Sequence, residues 1–265
     1  MGVVVAFKRL LAGLGFGGAS VETVLTEADV VPGGVVRGEV RIEGGTVDQR
    51  VEELTVGLQA RVEVESGDSE HSSDVEFTRQ RLGGELHLTP GARFSVPFEM
   101  NVPFETPVTW YGGSHLAGMN LGVNTRLSVA GALDPGDLDA VRVAPLEAQR
   151  VVLDALVSLG FRFKHADLER GRLRGTRQRL PFYQEIEFYA PGRYRGLNEL
   201  ELSFVADDRG VDVVLELDKK PGLLLGEGSD SFHRFTVEHR GAAAQDWQGY
   251  LHGWVDSIAG RRGWL

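Results

Sequence analysis

Between Leu54 and Val64 every second residue is apolar: Leu54, Val56, Leu58, Ala60, Val62 and Val64 alternate with Thr55, Gly57, Gln59, Arg61 and Glu63. Successive side chains on a strand point to opposite faces, so a period of two describes a strand with one face in a core and the other in water. A helix cannot use this pattern, because its faces repeat every 3.6 residues. Val36, Gly38, Val40 and Ile42 repeat the alternation against Arg37, Glu39, Arg41 and Glu43. Phe94, Val96, Phe98 and Met100 mark another strand, and Leu121, Val123, Thr125, Leu127 and Val129 one more. Weaker strands are predicted at Val21 to Leu25, Val75 to Leu82 and Leu138 to Val143. Pro32-Gly33-Gly34, Gly44-Gly45, Gly83-Gly84, Pro90-Gly91 and Asp134-Pro135-Gly136 read as the turns between them. Seven or more short, half-buried antiparallel strands imply two stacked sheets, so residues 19–143 are predicted to form a β-sandwich. Val56 and Leu58 belong in its core. The acidic, serine-rich stretch Ser66 to Ser73 reads as a solvated hairpin connection. Trp110, Tyr111 and His115 fall in a Gly-rich loop, read as a lid over the sandwich end, with a partner anchor as the alternative.

The pattern changes after Ala144. Pro145 is expected to open a helix at its first position and Gly160 to close it. Its polar stripe is Glu147, Arg150, Asp154 and Ser158, and its apolar face Val152, Leu153, Leu156, Val157 and Leu159. Strands are predicted at Phe182 to Tyr189, Leu200 to Ala206, Val211 to Leu217 and Arg234 to His239, with Asp207 to Gly210 as a hairpin connection. Trp247, Tyr250, Leu251, Trp254, Val255 and Ile258 define a second amphipathic helix, stopped at Gly260. Residues 144–265 are therefore expected to be an antiparallel β-sheet lobe with two flanking helices; a second sandwich is the alternative. The chain as a whole reads as mainly β. Charge divides at the same place. Met1 to Val143 carries 11 Lys/Arg against 20 Asp/Glu, and the remainder 17 against 18.

Residues 1–18 form a third unit. Val3, Phe7, Leu10, Leu11 and Leu14 fall on one helical face, an amphipathic arm ended by glycines. Three uses stay open for it: packing on its own domain, self-association through Phe7, Leu10, Leu11 and Leu14, or transient peripheral membrane contact. Lys8 and Arg9 lie inside the apolar run, which argues against a signal peptide. Gly13-Leu14-Gly15-Phe16-Gly17-Gly18 satisfies the dinucleotide pattern G-x-G-x-x-G, but a helix precedes it and a strand follows, the reverse of the order that brings phosphate to a helix N-terminus.

Chemistry is sparse. The chain has no cysteine, which removes disulfides, thiolate catalysis and cysteine-ligated metals. It also fits a reducing, cytoplasmic setting. A net charge of −10 opposes nucleic-acid binding. No stretch approaches the roughly 20 apolar residues that span a bilayer. The seven histidines show no H-E-x-x-H spacing. His233 and His239 could share a strand face, but at strand rise they stand about 20 Å apart. Glu185 and Glu187 share a strand face, where paired carboxylates can do acid–base work; the plainer reading is a solvated face. No catalytic residue, cofactor site or metal site is assigned. One cluster stands out: Arg162, Lys164, Arg170, Arg172, Arg174, Arg177 and Arg179 within 18 residues. Arginine forks bind carboxylate or phosphate in two-point contacts. Arg170, Arg172, Arg174, Arg177 and Arg179 are the candidate contacts for an anionic partner or lipid headgroup, set against internal pairing with the acidic first domain.

Several segments resemble bacterial sporulation-control proteins. They are Phe7-Lys8-Arg9-Leu10-Leu11-Ala12, Val21-Glu22-Thr23-Val24-Leu25, Pro32 to Gly38 with Ile42-Glu43-Gly44-Gly45, and Val96-Pro97-Phe98 with Val102 to Pro107. Asp134-Pro135, Val152 to Leu156 with Leu159 to Arg162, and Leu180-Pro181-Phe182 with Gln184 to Phe188 continue the likeness. The resemblance implies an arrestin-like fold for the N-terminal sandwich and a regulatory role in sporulation, cell stage or cell division without known catalysis. On that reading the chain is a non-enzymatic adaptor or scaffold for protein partners and a homodimer, with no cofactor. An anion- or lipid-headgroup-binding module using Arg162 to Arg179 is the alternative.

Overall fold

The computed structural model describes residues 18–27, 29–66, 69–131, 134–194, 196–219 and 232–260. Its strands are β1 (Ser20–Leu25), β2 (Asp29–Val30), β3 (Val35–Glu43), β4 (Gln49–Ser66), β5 (Ser69–Gly83), β6 (Leu86–Leu88) and β7 (Arg93–Asn101), then β8 (Trp110–Tyr111), β9 (Ser114–His115), β10 (Leu121–Val129), β11 (Gly136–Ala140) and β12 (Arg142–Val143). Helix α1 (Glu147–Ser158) is followed by β13 (Arg162–Arg170), β14 (Phe182–Tyr189), β15 (Leu197–Ala206), β16 (Gly210–Lys219), β17 (Phe232–Glu238) and helix α2 (Trp247–Gly260). The chain is mainly β, as its alternation predicts.

β1, β3 and β7 form one sheet, in the order β1-β3-β7. It stacks on β11, β10, β4, β5 and β6, and the apolar positions of the alternation meet between the layers. Val36 and Val40 from one sheet, and Val56, Leu58 and Val62 from the other, are at most 1% exposed. Burying each such side chain contributes roughly 1.5–3 kcal/mol.

The larger sheet does not end at the sandwich. It runs β11-β10-β4-β13-β14-β15-β16-β17, with β5 and β6 also paired to β4. The junction is parallel and short. Glu169 on β13 lies opposite Glu63 on β4, and Ala166 N–H donates to the Ala117 carbonyl at 2.9 Å. From β14 to β17 the apolar positions line up in rows across the strands, such as Ile186, Leu202 and Leu215. Helices α1 and α2 cover this face through Val152, Leu156, Leu251 and Val255, all 0% exposed.

Several boundaries differ from expectation. Helix α1 begins at Glu147, not Pro145: Leu146 is still extended, and its N–H is capped by Gln149 Oε1 at 2.9 Å. Gly160 does close it, at φ +79, with Phe161 N–H on Leu156 O and Gly160 N–H on Val157 O. Val157 is 49% exposed and leaves the predicted apolar face. The buried arc turns instead through Ala148, Val152, Leu153, Ala155 and Leu156. Ser69 to Ser73 belong to β5, so the predicted loop is mostly strand. There β5 pairs with β4 as far as Ser69 opposite Ser66. The Leu138–Val143 strand is split at Val141 into β11 and β12. Trp110, Tyr111 and His115 form the small hairpin β8–β9, turned by Gly112 and Gly113 at positive φ. It latches onto α1 through Tyr111 Oη donating to Asp154 Oδ1 at 2.7 Å. The N-terminal arm, including Phe7, Leu10, Leu11 and Leu14, lies outside the described residues.

Candidate functional site

Residues 171–181 connect β13 to β14 and carry the centre of the arginine cluster. The loop folds around one buried amide. Gln178 Nε2 donates to the carbonyls of Gly171 (2.8 Å), Leu180 (2.9 Å) and Phe182 (3.0 Å), and Oε1 accepts from Leu173 N–H (2.8 Å). The Glu105 carboxylate accepts the backbone N–H groups of Arg179 and Leu180, each at 2.9 Å. Arg234 on β17 donates to the Arg174 carbonyl at 2.9 Å, against Gly175 at φ +75.

The arginines then divide. Arg177 faces its own protein: its guanidinium reaches Asp207 (2.6 Å) and Asp212 (2.9 and 3.0 Å). These partners lie on and beside β16, not in the acidic first half. Burial would raise the Asp212 carboxyl, but the hydrogen bonds from Arg177 and Thr236 hold it below the usual carboxylate range. Arg170, Arg172, Arg174 and Arg179 are exposed. Arg172 donates once to the Gln178 carbonyl at 3.2 Å. Among the described residues the side chains of Arg170, Arg174 and Arg179 make no ion pair. The other two cluster members sit at the far end of β13, where Arg162 lies over the Tyr189 ring at 5.9 Å. Lys164 bridges Glu187 (2.5 Å) and Glu199 (2.6 Å).

Side chains alternate, so strands that put Ile186 and Leu202 under the helices put carboxylates on the opposite face. Asp167 faces Glu185, and Glu187, Glu201 and Glu216 lie in one row across β14, β15 and β16. Carboxylate oxygens of Asp167, Glu169 and Glu185 lie within 4.8 Å of one another, an oxygen set of the type that hard divalent cations use. Glu185 is not the solvated residue its strand pattern predicts. Burial, and then Glu201, Asp167 and Glu169, push its carboxyl up to about 8. Glu187 is tied to Lys164, so the two differ in chemistry despite sharing a face.

A second carboxylate pair lies at the seam of the sandwich. Asp137 and Asp139 on β11 point the same way, opposite buried Thr125 and Val123 of β10. Asp137 Oδ2 accepts the Thr23 N–H of β1 at 2.8 Å, so it joins the two sheets. Asp139 Oδ2 is buried with no hydrogen-bond partner. Burial, then Asp137 and Glu22, push its carboxyl up to about 7.

His233 and His239 are not brought together. His233 stacks on Trp254 at 4.9 Å and bonds Tyr250 Oη at 2.9 Å; His239 Nε2 lies 2.8 Å from the Asp207 carbonyl. Sequence reasoning missed Gln178, Glu105, Asp207, Asp212 and Arg234. Each is an ordinary polar residue in its local pattern, and only the folded chain brings them to the loop.

A family model described as SpoOM protein matches residues 7–221. The chain is 33% identical to the sporulation-control protein spo0M of Bacillus subtilis (strain 168) over 222 residues, 83% of each chain. It is also similar to the crystal structure of Spo0M, sporulation control protein, from Bacillus subtilis, at 29% identity and a TM-score of 0.77, covering 91% of this chain and 99% of that one. No helix among the described residues is long and apolar enough to cross a membrane.

Proposed function

Because the chain belongs to the Spo0M family of sporulation-control proteins, we propose that it is a non-catalytic regulatory adaptor. It acts in the cytoplasm by binding other proteins, in control of sporulation, cell stage or cell division. Its first sheet pair is the arrestin-like sandwich that the resemblance implies, and it works as a homodimer.

The observation that supports this reading is the end strand of the large sheet. β17 is hydrogen-bonded to β16 in unbroken register, and among the described residues no strand lies on its other side. β1, at the end of the smaller sheet, gives its Thr23 N–H to Asp137, and three other outer strands carry features that discourage pairing. β7 contains Pro97; β5 shows two register breaks along β4 and is rich in charge; β11 turns two aspartates inward. β17 has neither proline nor bulge, and Phe232 at its start is 49% exposed. An open edge of this kind accepts an extended segment through main-chain hydrogen bonds, with side-chain contacts supplying the selectivity.

Affinity capture from the native cytosol with the full chain and with Phe232→Glu tests the reading. A protein retained by the wild type and lost with the variant supports it. Retention of the same protein by both moves the contact away from β17. Recovery of no protein, together with turnover of a bound metabolite, overturns the adaptor reading.

A further inference from the structure

We infer that the 171–181 loop, with Arg234 beside it, is a binding site for a phosphate-bearing anion. This goes beyond the adaptor reading and stands whether or not that reading holds.

The first ground is the surplus of cation on a fixed loop. Glu105 takes only backbone N–H groups of this loop, and Asp207 and Asp212 are taken by Arg177. That leaves Arg172, Arg174 and Arg179 exposed on one short connection, with Arg170 exposed at the end of β13 that leads into it. A chain with a net charge of −10 leaves these four without a carboxylate among the described residues.

The second ground is preorganisation. Gln178 and the Arg177 ion pairs hold the backbone of the loop, so binding need not order it. Two guanidiniums are also placed. Arg172 gives one N–H to the Gln178 carbonyl at 3.2 Å, and Arg234 one to the Arg174 carbonyl at 2.9 Å. A guanidinium has five N–H donors, so each keeps the rest for a ligand. Planar forks held at one corner match the oxygens of phosphate in two-point, charge-assisted contacts. Several forks on one loop exceed what a single carboxylate can engage, whereas phosphate offers more oxygens and more charge.

Arg177 is outside the site. Its backbone N–H and its guanidinium contact Asp207 and Asp212, so it supports the loop and does not face a ligand.

The phosphate could come from a lipid headgroup or a free small molecule, and two probes separate these. The full chain is titrated with inorganic phosphate, and sedimented with phosphatidylcholine vesicles with and without phosphatidylglycerol, at low and high salt. The decisive variant is Arg170→Gln/Arg174→Gln/Arg179→Gln, whose side chains support nothing in the fold. The control is Arg37→Gln/Arg93→Gln, on the sandwich sheet, paired with Glu99 and Glu43. Binding to either probe that weakens about tenfold or more in the triple variant, is lost at high salt and survives in the control supports the site. Vesicle binding alone assigns a headgroup, and phosphate binding alone a soluble ligand. Binding of neither probe, or equal losses in the triple variant and the control, overturns the proposal.

Discussion

Arg177 and Asp212 meet through three contacts: the Arg177 backbone N–H (3.1 Å) and Nε (3.0 Å) on Oδ2, and a terminal guanidinium nitrogen (2.9 Å) on Oδ1. The pair joins the arginine loop to the start of β16. Asp212 is 7% exposed, and its other neighbour, Thr236, donates to the same carboxylate at 2.9 Å.

Removing Arg177 leaves a buried carboxylate without its cation. Breaking a buried pair costs about 3–5 kcal/mol, and the partial exposure of Arg177 reduces this to about 2–3 kcal/mol for Arg177→Gln. Arg174→Gln, whose side chain is exposed, should change stability by less than about 0.5 kcal/mol. Urea unfolding of both variants measures the contrast; equal midpoints would show that Arg177 is not structural. The Asp212 carboxyl is held low, so the pair stabilises the fold above the ordinary carboxylate range and loses that contribution on acidification.

Asp139 gives the opposite pH dependence. Its carboxyl is raised to about 7 in the folded chain and titrates near 4 when unfolded. The folded state binds the extra proton, so stability falls as pH rises from about 4 to about 7 and levels off above. Asp139→Asn should raise stability at about pH 8 by roughly 1–2 kcal/mol, a figure reduced for solvent screening. It should flatten this part of the profile. Thermal midpoints taken across that range decide it, and an unchanged slope in the variant would refute the assignment.

Gln184 stands in for a strand partner. Its side chain accepts the Val108 N–H (3.0 Å) and donates to the Val108 carbonyl (2.7 Å), both buried. Gln184→Ala leaves both backbone groups unpaired and should cost about 2–4 kcal/mol. Hydrogen exchange at Val108 should accelerate beyond the change seen at Val56; uniform acceleration would mean that the amide has no local role.

Gly118 marks where the halves of the large sheet approach. Its φ is +97, and a Cβ there would stand 2.1 Å from the Ala166 carbonyl oxygen of β13. Gly118→Ala should cost at least about 2 kcal/mol. Gly112→Ala also has positive φ but nothing within 4 Å, and should cost about 1 kcal/mol. Calorimetry of the two variants separates strain from collision.

The strands of the first half were legible because each shows one face to a core. Leu54 to Val62 alternate without interruption, and every one of those apolar side chains is buried. β13 was hidden for an equally local reason. The register along β14 shifts between Phe163 and His165, so Lys164 is an extra residue and the alternation changes phase there. With charge on half of its other positions, the segment reads as a basic cluster and not as a strand. For Glu185, period two gives the face it lies on but not the Asp167, Glu169 and Glu201 carboxylates that share it.

Alternation, turn chemistry and helix periodicity fixed which segments are strands and helices, since these depend on neighbours within a few residues. The sequence also placed the arginines on one short stretch. Only tertiary structure decided that Arg177 turns inward to Asp212 while Arg174 stays in water. It alone set Glu169 beside Glu63, and Asp139 at the sandwich seam. Those outcomes rest on contacts between residues dozens or more positions apart, and Coulomb forces and desolvation act on distance in space, which a linear pattern does not contain.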